Sequence, residues 1–183
     1  MGGLDRNIYL IGYRASGKST VGRILASKLG WPFLDMDEEL ERRLGASISE
    51  VVKTHGWEAF RGWERELLEE IAKRRGIVVA TGGGVILDPR NVTALRVSGI
   101  VVLLWVEAEE IVRRLSLDPQ EDKRPPLKGG LLEEVREVLE ERRPKYIAAA
   151  HLVVEATSSS PQEVAEEVLR RIGWETPSVC FSG

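Results

Sequence analysis

Residues 12–20 read GYRASGKST and match the pattern G-x-x-x-x-G-K-[S/T]. The motif follows a short apolar run and opens a helical segment, which is the context in which this pattern forms a phosphate-binding loop. Backbone N–H groups of such a loop converge on phosphate oxygens, and the helix N-terminus behind them favours negative charge. We therefore predict that Lys18 reaches the β and γ phosphates of a nucleotide and that the Ser19 hydroxyl holds Mg²⁺. The predicted nucleotide contacts in this loop are Ala15, Ser16, Gly17, Lys18, Ser19 and Thr20.

Short β-branched runs alternate with amphipathic stretches along the chain. The runs are bounded by Gly, Pro or charge and are apolar on successive residues, as buried parallel strands are. Helix-start signals separate them: a capping box at Ser47–Glu50, and a capping residue before proline at residues 88–89 and 160–161. This order predicts the α/β class, as a three-layer α/β/α P-loop fold with a five-stranded parallel sheet. The predicted strands lie at residues 8–11, 32–34, 77–81, 100–106 and 152–154.

The composition is that of a single globular domain: 183 residues, 43% hydrophobic and 30% charged, with a net charge of −3. This balance does not indicate a nucleic-acid or anionic-membrane partner, and the longest apolar runs are too short to cross a bilayer. The single cysteine, Cys180, cannot form an internal disulfide, and the first seven residues lack the features of a secretory signal, so we expect a cytoplasmic protein. We predict one domain over residues 1–175, a flexible tail at 176–183, and a monomer.

Residues 118–130 read DPQEDKRPPLKGG and separate two helical segments by a charged stretch rich in Pro and Gly. A plain connection between helices would be shorter. The stretch is either a mobile lid, spanning about residues 117–130, or an idle surface loop, and its own sequence favours neither.

Two aspartates follow the second predicted strand in the stretch FLDMDEE, residues 33–39, at the strand end where ligands bind in such sheets. If the residues stay extended, Asp35 and Asp37 point the same way. Two carboxylates would repel a nucleotide phosphate unless a metal lay between them. One acid can therefore organise Mg²⁺ through its waters, while the other aligns an acceptor hydroxyl.

A phosphate acceptor would be disfavoured beside Asp37, so the acceptor should be an alcohol. A charged helix start is the simpler alternative.

A run of glycines and two arginines suggest where an acceptor binds. The third strand ends in TGGG, residues 81–84, where a ligand could approach the backbone closely and meet exposed N–H donors; a plain turn is the alternative. Arg61 lies among aromatic residues in AFRGWE, and Arg142 opens RRPKY. Arginine can grip a planar carboxylate through two parallel hydrogen bonds, although each of these arginines taken alone is most simply a surface residue.

A phosphate loop alone does not distinguish ATPases, GTPases and kinases. The chain has no N-K-x-D motif to read guanine, and ATP-driven motors usually need more chain than this. We therefore expect a small transferase.

Together the motifs resemble those of the shikimate kinase family from about Ile8 to Ile172. GYRASGKST, LDMD, EAFRGWE, TGGG, KRPPL and RRPKY follow the family's order and spacing. The resemblance implies transfer of the γ-phosphoryl group of ATP to the 3-hydroxyl of shikimate, a step towards chorismate and the aromatic amino acids. It implies Mg²⁺ as the cofactor, shikimate and ATP as the partners, and a lid that closes on both.

The resemblance also implies roles for individual residues. Catalysis would rest on Asp37 as the base toward the hydroxyl, on Lys18, and on Arg124 of the lid, which would close over the phosphates. Asp35 would bind Mg²⁺ through water, with Ser19 as the direct ligand. Glu64 would steady Arg61 and a ring hydroxyl. The implied acceptor contacts are Asp37, Arg61, Glu64, Gly82, Gly83, Gly84 and Arg142, and the implied nucleotide contacts outside the loop are Arg114, Arg124 and Pro161.

Several positions depart from the family pattern. Ala15 stands where the family usually has a glycine, a change that the loop tolerates if the residue keeps ordinary dihedral angles. Val52 replaces an aromatic residue that often walls the acceptor pocket, and residues 158–160 lack a basic side chain before Pro161. Trp57 and Trp63 are unusual neighbours for Arg61, and they either wall the pocket or simply pack.

Two other functions stay open. A kinase for another hydroxy acid, such as gluconate, would need the same acid and arginines. A nucleotide-sensing module without turnover would be expected to have lost an acid or the lid arginine, and none of these is missing here.

Overall fold

The computed structural model describes residues 6–117 and 130–174, over which five strands alternate with seven helices. Each predicted strand is confirmed, with its ends shifted by no more than one residue. The strands are β1 (Asn7–Ile11), β2 (Phe33–Asp35), β3 (Val78–Ala80), β4 (Gly99–Trp105) and β5 (Leu152–Glu155). The helices are α1 (Lys18–Leu29), α2 (Met36–Leu44), α3 (Ile48–Ala72), α4 (Pro89–Ser98), α5 (Ala108–Ser116), α6 (Leu131–Ala149) and α7 (Pro161–Arg171).

The strands form one parallel sheet in the order β2-β3-β1-β4-β5. This confirms the predicted five-stranded parallel sheet. Ala80 of β3 is in register with Leu10 of β1 on one side and with Asp35 of β2 on the other. The loops that follow these three strands therefore leave the sheet side by side at its carboxyl edge, where open α/β sheets bind ligands.

Successive residues of the central strands face opposite sides of the sheet. Ile8 and Leu10 pack into a core that includes buried residues of α1, α5 and α7, whereas Tyr9 and Ile11 pack into a second core with residues of α2, α3 and α4. Because both faces are covered, the central strands are mostly apolar on successive residues, with the buried Asn7 at the start of β1 as an exception. The three-layer arrangement is confirmed by these two cores on opposite faces of one sheet.

A buried polar network lies at the amino end of the sheet, away from the loops. The Asn7 side-chain amide donates to the Tyr9 hydroxyl at 3.0 Å and to the Arg74 carbonyl at 3.0 Å. The Tyr9 hydroxyl is 2.7 Å from Ser98 Oγ, which itself donates to the Ala94 carbonyl. Each buried group in this network has a partner, which limits the cost of removing it from water.

The helices begin where the sequence predicted. Ser47 and Ser160 both form complete capping boxes, with Glu50 and Glu163 respectively, and Asp88 caps α4 ahead of its proline. Helix α3 is broken at Gly56, whose φ of 83° and ψ of 166° are non-helical. The second part of α3, which carries Arg61, is thereby a separate helical segment.

Of the predicted lid at about residues 117–130, only the two end residues lie in the described part of the chain, and Arg124 and the tail at 176–183 lie outside it. No helix among the described residues is both long enough and apolar enough to cross a membrane.

Candidate active site

The loop between β1 and α1 curls around the ammonium group of Lys18. Lys18 Nζ donates to the Gly12 carbonyl at 2.9 Å and to the Tyr13 carbonyl at 2.8 Å. Gly12 has a φ of 148°, and a β-carbon there would lie 2.7 Å from the Leu104 carbonyl oxygen, so only glycine fits. Burial lowers the pKa of Lys18 to about 8, although the carboxylates of Asp37 and Asp35 oppose this effect.

Two features of the loop suit a bound anion. The Ser16 hydroxyl is buried and has no hydrogen-bond partner, which is costly unless a ligand supplies one. Gly17 caps α1 without a side chain, so the N-terminus of this twelve-residue helix is open toward the loop. Ala15 does not keep ordinary dihedral angles, because its φ is 58°. This alanine holds a left-handed conformation that glycine would adopt without strain.

Ser19 and Asp35 bring the nucleotide loop and β2 into contact. The Ser19 hydroxyl donates to Asp35 Oδ2, while Asp35 Oδ1 accepts from the backbone N–H groups of Asp37 and Glu38 at 3.0 and 3.3 Å. Asp35 is thus the N-cap of α2. The condition under which the two aspartates would point the same way, an extended segment, is not met, because β2 ends at Asp35 and α2 begins at the next residue.

Asp37 nevertheless reaches the same site, from the first turn of α2. Burial raises the pKa of its carboxyl group, and the nearby charge of Lys18 acts in the opposite direction. The charges of Asp35 and Glu41 also raise the pKa of Asp37, and the charge of Arg61 lowers it. The Asp37 carboxyl group thus lies between the phosphate loop and an arginine, where it can serve as a general base.

Arg61 is held by an acid below it and by aromatic rings around it. Its Nη1 donates to both carboxylate oxygens of Glu64 at 2.7 and 2.8 Å, and Glu64 is only 1% exposed. The guanidinium carbon lies 5.3 Å from the Trp57 ring centre and 5.4 Å from that of Phe60, within cation–π range. Burial raises the pKa of Glu64, and Arg61 opposes the shift.

The two tryptophans differ in their surroundings. Trp57 is 53% exposed and lies beside the Arg61 guanidinium, so it can line an acceptor site. Trp63 packs against the core beneath α3 and meets His55 edge to face, with ring centres 5.5 Å apart.

The three glycines after β3 leave room for side chains from other elements. A β-carbon on Gly82 would lie 2.8 Å from Glu64 Oε1 and 2.9 Å from Asp37 Oδ1. A β-carbon on Gly84 would lie 2.1 Å from Arg61 Nη2. The glycine run is therefore more than a plain turn, because it allows both acids and the arginine to pack against the main chain.

Arg142 precedes, by one helical turn, a residue that contacts the glycines and to which the sequence motifs assigned no role. The Tyr146 hydroxyl donates to the Gly83 carbonyl at 2.6 Å, and the charge of Arg142 acts on the same hydroxyl. Burial raises the pKa of Tyr146 to about 12, while Arg142 opposes the shift. The sequence did hold a signal, since residues four apart in the predicted helix share one face.

Arg114 and Pro161, two of the nucleotide contacts predicted outside the loop, line a cavity of about 860 Å³ beside the phosphate loop. Arg114 donates to the Ala15 carbonyl at 3.2 Å and to the Ala156 carbonyl at 2.8 Å, so it ties the loop to the segment before α7. Residues 156–160 and Pro161 form the wall opposite the loop. Thr20 is exposed at the start of α1 and also lines this cavity.

Curated relatives with similar sequences are shikimate kinases. The shikimate kinase family model matches residues 14–173. A shikimate kinase of Nitratidesulfovibrio vulgaris is 45% identical over 155 residues, covering 84% of this chain and 89% of that relative. One of Syntrophus aciditrophicus is 41% identical, with 91% of each chain covered.

Solved structures agree with the sequence matches. The shikimate kinase of Acinetobacter baumannii, solved in complex with shikimate, superposes with a TM-score of 0.85 at 36% identity and covers 93% of this chain and 94% of its own. A gluconokinase of Sinorhizobium meliloti, at 19% identity and a TM-score of 0.59 over 93% of each chain, shares the fold alone. The chain belongs to the shikimate kinase family.

Proposed function

We propose that this protein transfers the γ-phosphoryl group of ATP to the 3-hydroxyl group of shikimate. The observation that carries the proposal is that Asp37 and Lys18 share one site and influence each other's charge. Lys18 belongs to the phosphate loop, and Asp37 lies beside Arg61 and Glu64, where an acidic alcohol can bind. Membership of the family and the relative solved with shikimate support this choice of acceptor.

We assign the chemistry of the transfer mainly to positioning. In a loose phosphoryl-transfer transition state the attacking and leaving oxygens lie roughly in line, and charge spreads over the transferred group. Asp37 would accept a hydrogen bond from the hydroxyl and take its proton as the bond to phosphorus forms. Lys18 would hold the β and γ phosphates, and its ammonium group already points at carbonyl oxygens of the loop. The neighbouring acids keep it charged in spite of its burial.

Ser19 and Asp35 fit a Mg²⁺ ion bound with the nucleotide. A hydroxyl and a carboxylate are the hard oxygen donors that Mg²⁺ prefers, and here they are in direct contact next to the phosphate loop. Ser19 would bind the ion directly and Asp35 through water. When bound, the ion neutralises charge that develops on the phosphate oxygens.

Arg61 and Arg142 would hold the carboxylate of the acceptor, and the main chain at Gly82, Gly83 and Gly84 would contact its ring. Glu64 would fix Arg61 and accept a hydrogen bond from a ring hydroxyl. The ion pair between Arg61 and Glu64 supports this arrangement, since a buried acid keeps the guanidinium facing the site. Arg114 and Pro161 would frame the adenine, because both line the cavity beside the loop.

Arg124 remains a predicted catalytic residue that closes over the phosphates, and the monomeric state and cytoplasmic location also remain predictions. Trp57 would cover one side of the acceptor site, in place of the aromatic residue that Val52 replaces.

A coupled assay of ADP release tests the acceptor. The purified protein with ATP and Mg²⁺ is offered shikimate, gluconate and AMP in parallel. Rapid turnover of shikimate, with gluconate and AMP near the background rate of ATP hydrolysis, is the expected result. Preference for gluconate would overturn the proposed acceptor, and ADP release that no acceptor accelerates would indicate a nucleotide-binding module instead.

A further inference from the structure

Tyr146 lies in the last turn of α6 with its ring in the core beneath the site. The side chain is 1% exposed and packs with residues of α2, α3 and α4. A phenylalanine would fill this space equally well. The hydroxyl group is used elsewhere: it donates to the Gly83 carbonyl at 2.6 Å, and the charge of Arg142 acts on it.

The direction of this contact follows from the chemistry of the two groups. A carbonyl oxygen only accepts and a phenol carries one hydrogen, so the Tyr146 hydroxyl donates to Gly83. With its one hydrogen used in this way, the hydroxyl fixes the direction of the Gly83 carbonyl. Arg142 shares a helix face with Tyr146, since the two residues are four apart in α6.

The contact with Gly83 orients the main chain of the glycine turn. The peptide unit is planar and trans, so a fixed Gly83 carbonyl also fixes the Gly84 N–H, which points the opposite way. Gly83 itself packs against the phosphate loop, because a β-carbon there would lie 3.5 Å from both Arg14 N and the Gly12 carbonyl oxygen. The turn thus has the loop on one side and Tyr146 on the other.

We propose that Tyr146 is a positioning residue for the acceptor: its hydroxyl holds the turn at residues 82–84 in the geometry that binds the acid substrate together with Arg142. The inference rests on the proposed function, since it concerns the same acceptor site. Tyr146 acts through this turn and not by touching the substrate. Its contribution therefore belongs to acceptor binding and alignment, and not to binding of ATP.

The test compares Tyr146→Phe with Tyr9→Phe. Tyr9 is a matched control, because it is equally buried and its hydroxyl is also hydrogen-bonded, to the side chains of Asn7 and Ser98 at the far end of the sheet. Steady-state kinetics with each substrate varied in turn, together with thermal unfolding, are measured for both variants. We expect Tyr146→Phe to raise the KM for shikimate about tenfold, as for loss of a buried hydrogen bond that leaves its acceptor without a partner, while the KM for ATP changes less than about twofold. Tyr9→Phe should lower thermal stability and leave both KM values near those of the wild type.

A double-mutant cycle with Arg142→Ala separates positioning from a general effect on folding. If Arg142 and the turn that Tyr146 holds bind the same acid, the rise in acceptor KM caused by Tyr146→Phe should be much smaller in the Arg142→Ala background. Equal rises in the two backgrounds, or parallel increases in the KM values of ATP and shikimate, would overturn the inference. Wild-type turnover tests the proposed function separately: should the wild type prefer another hydroxy acid, the same comparison is made with that acid.

Discussion

The guanidinium group of Arg61 lies so close to the main chain of Gly84 that a β-carbon on residue 84 would come within 2.1 Å of Nη2. The conflicting atom is the far end of a flexible side chain, so an alanine at 84 could be accommodated if the guanidinium moved. Folding and substrate binding can therefore be separated at this position.

Gly84→Ala should fold and yet bind the acceptor poorly. Displacing Arg61 from Glu64 would loosen the grip on the carboxylate, and we expect the KM for shikimate to rise at least about tenfold with little change for ATP. Gly62→Ala is the control, since Gly62 lies in the same helix as Arg61 with nothing within 4 Å of its β-carbon position. That substitution should stabilise the protein by about 0.5–1 kcal/mol and leave the KM unchanged. An unaltered acceptor KM in Gly84→Ala would contradict the assigned role of Arg61.

Ala15→Gly should stabilise the protein, against the usual trend for this substitution. Ala15 has a φ of 58°, and this left-handed conformation destabilises an L-residue by roughly 1–2 kcal/mol but not glycine. Glycine has the opposite disadvantage of a more flexible unfolded chain, which lowers stability by roughly 0.5–1 kcal/mol. The net gain should be about 0.5–1 kcal/mol, measured by urea unfolding. Ala94→Gly, within the ordinary helix α4, should destabilise by about 1 kcal/mol. Loss of stability in both variants would mean that Ala15 is not strained.

Binding of ATP to the free enzyme should weaken above about pH 8. Burial lowers the pKa of Lys18 to about 8, so the ammonium charge is lost from the free enzyme near this pH. Between about pH 8 and pH 10.5, the pKa of Lys18 in the unfolded chain, the unfolded state binds more protons than the folded state. The free energy of unfolding that this group contributes therefore increases as pH rises through this range. The profile of kcat/KM for ATP should thus fall near pH 8 while thermal stability does not. A fall of both together would point to unfolding instead.

His151 should resist protonation as the pH falls. Its Nδ1 accepts the backbone N–H of Val101 at 3.0 Å, and burial, together with the charges of Arg96 and Arg6, lowers its pKa below 6.5. The contribution of this group to stability is therefore complete above about pH 6.5 and is lost as pH falls through the lower folded-state value. NMR titration of the imidazole signals measures this directly, with His151→Gln and His55→Gln to assign them. A His151 signal that titrates above pH 6.5 would contradict the contact.

Local patterns in the sequence were sufficient to predict most of the fold. The apolar runs gave the strands and their parallel pairing, and the serine caps gave the helix starts, because both depend on neighbouring residues. Asp35 shows where local reasoning failed. Its side chain satisfies two backbone N–H groups of α2, which turns the chain into a helix one residue after the strand.

The relations between distant segments could not be predicted in the same way. Tyr146 meets Gly83 across 63 residues, and no periodicity connects them. The need for glycine at position 84 likewise depends on where Arg61 lies in the folded chain. Motif spacing indicated which residue types the chemistry requires, but packing decides which of them touch.

The central claim is that Asp37 acts on the acceptor hydroxyl while Lys18 holds the nucleotide in the same site. The most direct test is Asp37→Asn, with kcat measured in the coupled assay and the Kd for ATP measured by calorimetry. The control is Glu38→Gln, an exposed acid in the same helical turn that pairs with Arg23 at the surface. We predict that Asp37→Asn lowers kcat by a factor of about a hundred or more with the Kd for ATP almost unchanged, and that Glu38→Gln alters neither. A kcat close to that of the wild type, or a loss of ATP affinity large enough to account for the lost activity, would contradict the account.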